Sequence, residues 1–283
     1  MPELPEVESI KNELLPHIVG RRVSGVTLFW EGIVRQPSVA EFCSRLIGQK
    51  ITGVARRGKY LIFSLTSGEA LIIHLKMTGS LLLKPASAEP GRFTRAIIYL
   101  NKEIQLGFRD PRKLGVMWLV EDINSIVGKL GPEPLAASFT PQILSERLNN
   151  RTAPIKAILC DQTFIAGIGN MYADEALFAA RIHPLRLGKS LSPDEVERLH
   201  HSIQRVLLSA IGYKGASVRH YFRPSGERGT AHFQFQVAHR LSGNFCPVCV
   251  TPIERIVVRN RGTYFCPKCQ PLTLYPSPLI REM

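Results

Sequence analysis

Two short cysteine pairs, CPVC at 246 to 249 and CPKC at 266 to 269, restrict what this chain can fold into more than any other feature. Sixteen residues separate them, within the window for a four-thiolate zinc site made by Cys246, Cys249, Cys266 and Cys269. Four protein ligands leave no open position, so one such zinc is structural and rigidifies the hairpin between the pairs. Two disulfides are the alternative. The two other cysteines, Cys43 and Cys160, are solitary in apolar EFCSRL and AILCDQ, as small core residues of a reducing, cytoplasmic compartment would be. VVRNRGTYF, between the pairs, puts Arg259 and Arg261 near the hairpin tip, where a guanidinium can clamp phosphate.

Charge points the same way. Thirty-six Lys and Arg against 23 Asp and Glu give +13 over 283 residues, which calls for a polyanionic partner, nucleic acid first. A membrane is not expected: no apolar run approaches the roughly 18 residues of a span, and no polybasic tail or signal sequence is visible.

Along the chain, Val7, Ile10, Leu14 and Leu15 recur at helical spacing between Pro5 and about Pro16, and Gly20 ends that helix. RVSGVTLFW, KITGVARRGKYLIFSL, ALIIHLKMTGSLLL, RAIIYLNKEIQLGF and GVMWLV then read as strands. Proline-rich, aperiodic GPEPLAASFTPQ marks a boundary. Beyond it ILSERLNN, PIKAILCDQ, NMYADEALFAARI and SPDEVERLHHSIQRVLLSAI read as helices, the last opened by Ser192 or Pro193. The expected fold is α+β and multidomain: a β-sandwich with an N-terminal helix over 1–131, a helical domain over 132–233, a cysteine-bearing β-hairpin over 234–272, and a tail over 273–283 with no assigned role.

Basic residues lie beside turn glycines in ARRGKY around Lys59, in DPRKLG around Arg112 and Lys113, and near GIGN around Asn170. Exposed backbone N–H groups with such side chains suit phosphate oxygens. The opening MPELPEVE admits a purely structural reading, with Pro5 in the first helical turn and Glu6 and Glu8 at the positive end of the dipole. That leaves Pro2 unexplained. Once Met1 is removed, Pro2 presents a secondary amine with a useful unprotonated fraction near neutral pH, able to attack a sugar C1′ and form an iminium, with Glu3 beside it to move a proton.

MPELPEVE, RRGKYL, HLKMTG, DPRKLG, LGPEPL, AGIGNMYADE and RGTYFCPKCQ, in that order from residue 1 to about 270, resemble the bacterial formamidopyrimidine-DNA glycosylase family. The endonuclease VIII branch usually begins Pro-Glu-Gly-Pro-Glu, so PELPEVE favours the oxidised-purine branch. The resemblance implies a monomeric, cytoplasmic, nucleoid-associated repair enzyme of the bifunctional kind, a DNA glycosylase and abasic-site lyase acting on damaged duplex DNA. Its implied parts are a β-sandwich, a helix-two-turns-helix domain and a zinc finger with one structural zinc. By this likeness Pro2 is the nucleophile and Glu3 the acid and base, while Glu6 and Glu175 support the site. Lys59, Asn170 and Arg261 grip phosphates, with His74 and Lys156 as additional contacts. Met77 and Arg112 enter the duplex where the damaged base has left.

The likeness has departures. Leu114 stands where the family usually has phenylalanine, so the third wedge residue is aliphatic and stacks less well against the opposite base; Val250 stands where a glycine often follows the first cysteine pair. VAHR at 237 to 240 replaces a common Val-Tyr-Gly-Arg, and RPSGERGTAHF aligns too poorly to yield a lesion-reading residue. Two rivals remain: a glycosylase for oxidised pyrimidines, and a non-catalytic zinc-ribbon DNA-binding protein in which Pro2 only leads into a helix.

Overall fold

The computed structural model describes residues 1–218, 221–238 and 244–272. It divides the chain into two compact units, Met1–Leu130 with Leu207–Gln234, and Gly131–Val206 with the segment from Phe235 onward.

The first unit opens with α1 (Leu4–Ile18), whose Val7, Ile10, Leu14 and Ile18 recur at steps of three and four and are all buried. Burial of Ile18 carries the helix past Pro16, and Gly20 follows at φ +86°. Next come β1 (Val23–Leu28), β2 (Val34–Gln36), α2 (Val39–Leu46), β3 (Ile51–Arg57), β4 (Tyr60–Leu65) and β5 (Ala70–His74). They are followed by β6 (Ser80–Pro85), β7 (Thr94–Leu100), β8 (Ile104–Arg109), β9 (Val116–Val120) and the short α3 (Asn124–Val127). One sheet runs β1-β7-β8-β6, antiparallel throughout, and the other β2-β9-β5-β4-β3, with β2 and β9 parallel.

Side-chain alternation makes these sheets a sandwich. Leu61, Phe63, Leu71, Ile73, Met117 and Leu119 of the five-stranded sheet share one core with Ala96, Ile98, Leu106 and Phe108 of the other and with α1. The alternate residues Ile62, Ile72 and Val120 face the opposite way and pack with Tyr60, Trp118, Ile123 and Ile126. Each such side chain contributes roughly 1.5–3 kcal/mol when fully buried. The segment carrying Cys43 is α2, an element that periodicity alone does not reveal in so short a stretch. Its signal is a capping box, in which Ser38 Oγ accepts from Glu41 N at 3.3 Å and Ser38 N donates to Glu41 Oε2 at 3.2 Å. Cys43 packs half-buried against the core, and Cys160 is buried.

The second unit holds α4 (Pro141–Leu148), α5 (Ile155–Leu159), α6 (Asn170–Ala180) and most of α7 (Pro193–Gly212), whose last residues count with the first unit. Ser192 and Glu195 cap α7 reciprocally, Glu195 N to Ser192 Oγ at 3.3 Å and Ser192 N to Glu195 Oε2 at 2.9 Å. The cysteine-bearing hairpin is β10 (Glu254–Val258) paired antiparallel with β11 (Arg261–Phe265). Among the described residues no helix is long and apolar enough to cross a membrane. Residues 273–283, and His239 and Arg240 of VAHR, lie outside the described residues.

Candidate active site and nucleic-acid interface

The start of α1 is buried, unusually for a chain end. Pro2 and Glu3 are both buried, Glu3 at 2 % exposure, and Glu6 is fully buried one turn later. The Glu6 carboxylate accepts from Glu3 N at 2.7 Å and, with its other oxygen, from Ala216 N at 2.7 Å. Tyr221 Oη donates to Lys214 O at 3.1 Å and approaches Glu6 O at 3.4 Å, and burial pushes its phenol pKa well up, so it stays a donor. Gly215 permits this closeness: at φ +79°, a Cβ there would come within 2.9 Å of Glu6 Cγ. Gly215, Ala216 and Tyr221 are thereby tied to the first turn of α1. Arg56 of β3 reaches α1 through Glu8, Nε to Oε2 at 2.7 Å, so the β3–β4 hairpin is fastened to the same helix. Lys59 sits at that hairpin's turn, buried, after Gly58 at φ +54°.

His74, at the end of β5, pairs with Tyr60 across the sheet, ring centroids 4.6 Å apart. Its Nδ1 accepts from Lys76 N at 2.9 Å. Burial, then the nearby cations of Lys76 and Lys59, lower its pKa to about 3, so the ring is neutral at physiological pH.

Two loops follow from the sheets, one with Met77 and one with Arg112 and Leu114. Met77 and Arg112 are exposed side by side, Arg112 Nη1 3.6 Å from Met77 Sδ, and Leu114 is half-buried. The organiser is Asp110, fully buried, which the sequence reading did not single out. Its Oδ2 accepts from Leu114 N and Gly115 N, each at 2.7 Å, while Oδ1 accepts from Arg112 N at 3.2 Å and from the Thr78 hydroxyl of the other loop. One carboxylate therefore sets the shape of both loops. An Asp directly before Pro was the available signal, since such a side chain commonly bonds the backbone two residues on.

In the second unit, Asn170 opens α6 behind Gly169, and its Nδ2 donates to Gly262 O of the hairpin at 2.8 Å. Asn170 Oδ1 is buried with no hydrogen-bond partner among the described residues. Lys156, expected to reach DNA, is corrected to a position beneath this turn: it is fully buried, and its Nζ donates to Asn170 O and to Asp174 Oδ1, both at 2.5 Å. A short α5 packed on α6 turns Lys156 inward, which sequence spacing could not show. Asp174 Oδ2 also accepts from Tyr264 N at 3.2 Å, joining α6 to β11, and burial raises its pKa to about 6 against the opposing pull of Lys156. Glu175, next to it and 4 % exposed, gathers three successive N–H groups, those of Gln236, Val237 and Ala238, at 2.7 to 3.0 Å. Arg261, the first residue of β11, is exposed.

The four cysteine sulfurs lie within 4.8 Å of one another, with Cys246 and Cys269 Sγ 3.8 Å apart and Cys249 and Cys266 Sγ 3.4 Å apart. A disulfide needs about 2.05 Å, whereas a tetrahedron with Zn–S of about 2.3 Å puts its sulfurs roughly 3.8 Å apart. The spacing fits zinc. Val248 N and Cys269 N point at sulfurs, both at 3.4 Å, as the outer hydrogen bonds of a thiolate site do. Phe178, Val237 and Ile253 pack around the cluster, and Gln270 anchors it by Nε2 to Ile182 O at 2.9 Å. The four cysteines hold one structural zinc.

A sandwich beginning in a buried Pro-Glu pair, a helical unit whose turn faces a zinc hairpin's backbone, and a surplus of basic groups define a protein built to act on nucleic acid. Comparison with known proteins narrows that class. The family model described as formamidopyrimidine-DNA glycosylase N-terminal domain matches residues 1–117, the H2TH domain of the same glycosylase matches 130–221, and the zinc finger found in FPG and IleRS matches 243–272. The chain is 45% identical over 273 residues to the formamidopyrimidine-DNA glycosylase of Chloroflexus aurantiacus, covering 95% of this chain and 98% of that one. With the same-named protein of Symbiobacterium thermophilum it is 44% identical, over 96% of this chain and 90% of the other. Among solved structures, a complex of a Lactococcus lactis FPG variant with Fapy-dG containing DNA superposes with TM-score 0.89 at 35% identity, covering 95% of this chain and all of that one. The MutM (FPG) protein of Thermus thermophilus gives 0.86 at 38% identity, over 95% and 98% of the two chains. The chain belongs to the formamidopyrimidine-DNA glycosylase family.

Proposed function

We propose that this protein removes oxidised purines such as 8-oxoguanine and formamidopyrimidines from duplex DNA and then cuts the strand at the abasic site, with Pro2 as nucleophile once Met1 has been removed. The observation that carries the reading is the buried Pro2-Glu3 pair, fixed through Glu6 to Ala216 and Tyr221, at the head of a chain of this family. A stacked lesion hides its C1′, so the nucleotide must first be extruded, at a cost of a few kcal/mol. Met77, Arg112 and Leu114, shaped by Asp110, fill the vacated space. Lys59 in the first unit, and Asn170 and Arg261 in the second, contact phosphates. Lys156 supports Asn170 from below rather than touching DNA itself.

The proline nitrogen then attacks C1′ with its lone pair, and the C1′–N bond to the base breaks as the base takes up a proton. Glu3 moves the proton that opens the sugar ring. The resulting iminium is an electron sink: loss of a C2′ proton expels the 3′ phosphate, a second elimination can expel the 5′ phosphate, and water finally frees the amine. Zinc holds the hairpin and takes no part in these steps. Supporting residues are Glu6 and Glu175, and His74, neutral and buried, adds a contact close to Lys59. The working state is a monomer in the cytoplasm, bound to chromosomal DNA.

Borohydride trapping of the untagged protein tests this reading on duplexes with 8-oxoguanine opposite cytosine and with thymine glycol opposite adenine. A covalent adduct on the first is expected. An adduct only on the second moves the activity to oxidised pyrimidines, and none on either removes the lyase chemistry.

A further inference from the structure

Arg259 and Asn260 form the turn between β10 and β11 at φ +46° and +61°. A two-residue hairpin turn of this hand requires the left-handed region twice, which asparagine and glycine enter readily. Asn260 suits it. Arg259 does not, and a residue held in an unfavoured conformation at an exposed tip invites a functional explanation. The tip overlooks a cleft of about 330 Å3, within the second unit, whose lining includes Arg151, Asp161, Arg259 and Arg261.

Three guanidiniums therefore line the cleft with one carboxylate, which leaves a surplus of positive charge. Asp161 accepts from Thr163 N at 2.9 Å and from Thr163 Oγ1 at 2.8 Å. Arg151 lies over the Phe164 ring, 5.5 Å from its centroid, and no acid pairs with it among the described residues. The guanidiniums of Arg259 and Arg261 likewise have no ion-pair partner among the described residues. Unpaired, exposed guanidiniums around a space of this size form an anion site, with planar donors suited to phosphate oxygens.

We propose that this cleft binds a backbone phosphate of the DNA distinct from the one held by Arg261, with Arg259 as its principal ligand and Arg151 as the second. The inference rests on the DNA reading above and adds a phosphate contact specific to this chain's turn sequence. It concerns affinity and register, not bond breaking, because the proposed ligands are guanidiniums, which donate hydrogen bonds and transfer no proton at neutral pH.

The experiment is a fluorescence anisotropy titration of the full-length, zinc-loaded protein with a duplex carrying a tetrahydrofuran abasic analogue opposite cytosine. Salt is varied from about 50 to 200 mM, the range over which counterion release is steep. Arg259→Gly removes the side chain while suiting the turn, so folding is not at issue; Arg259→Lys keeps the charge; Arg255→Gln removes a charge elsewhere on the same hairpin. Expected is about tenfold weaker binding for Arg259→Gly, with the slope of log K against log salt shallower by roughly 0.9. Arg151→Ala moves both in the same direction by less, and Arg259→Lys and Arg255→Gln keep the wild-type slope. Arg259→Gly with wild-type affinity and slope overturns the phosphate subsite alone. Failure of the wild-type protein itself to bind in a salt-dependent way overturns the DNA reading on which the subsite rests.

Discussion

Glu6 and Glu175 are the same device used in two units for different ends. Each is a buried glutamate on a helix, Glu6 in the first turn of α1 and Glu175 midway along α6, and each accepts backbone N–H groups from a distant stretch of chain. Glu6 divides its oxygens between a donor three residues away, Glu3 N, and one 210 residues away, Ala216 N. Glu175 spends both on one run of three donors, 61 to 63 residues away. The first arrangement holds the Pro2-Glu3 end of the chain, the proposed reacting pair, against a loop; the second captures a whole segment, as an anion is captured in a nest of amides. Damage to the first should thus appear in chemistry, and damage to the second in stability and DNA affinity.

Glu175→Ala is expected to have the largest effect on folding, since it leaves three N–H groups without their acceptor, at a cost of roughly 3–6 kcal/mol. Urea unfolding of the zinc-loaded protein measures this, and affinity for an abasic-analogue duplex should fall with it. Glu6→Ala should cost less, roughly 2–4 kcal/mol. A reactive group displaced by an ångström can lose about 100-fold in rate, so single-turnover strand cleavage should fall by at least that while duplex affinity is largely kept. If both variants lose affinity and rate in the same ratio, the distinction between them is false.

A smaller effect concerns pH. His74 titrates at about 3 in the folded chain against 6.5 unfolded, because burial and two lysines disfavour its charged form. The folded state binds fewer protons between those values, so the stability is whole above about 6.5 and is lost progressively as pH falls toward 3. The loss reaches at most about 1.4 kcal/mol per pH unit. His74→Asn keeps an acceptor for Lys76 N without titrating, and its stability, compared with wild type at pH 7, 5.5 and 4.5, should fall less steeply with acid. Smallest is Val250, a β-branched residue at φ +62°. Val250→Gly should raise the zinc-loaded protein's stability by about 1 kcal/mol in thermal unfolding.

What the sequence disclosed depended on the range of the interaction. The zinc cysteines are legible because four ligands in two CxxC pairs fix their own geometry locally, and the strands of the sandwich are legible because apolar residues alternate. The anchoring of Ala216 on Glu6 is not, since no local pattern links residues 210 apart, and α7 carries the chain back into the first unit only through tertiary packing. Lys156 shows the same limit: a basic residue near a glycine turn suggests phosphate, and only the fold reveals Asp174 beside it. Asp110 escaped notice because DPRKLG drew attention to its cations rather than to the acid that shapes the loop. The parallel pairing of β2 with β9 was equally hidden, β2 being only three residues long.

The central claim is that the reacting nitrogen is the amine of Pro2. Peptide mapping by mass spectrometry of the borohydride-trapped complex with 8-oxoguanine DNA tests it directly. The sugar remnant is expected on an N-terminal peptide beginning at Pro2, with Met1 absent. A remnant on a lysine, or on a peptide that retains Met1, would contradict it.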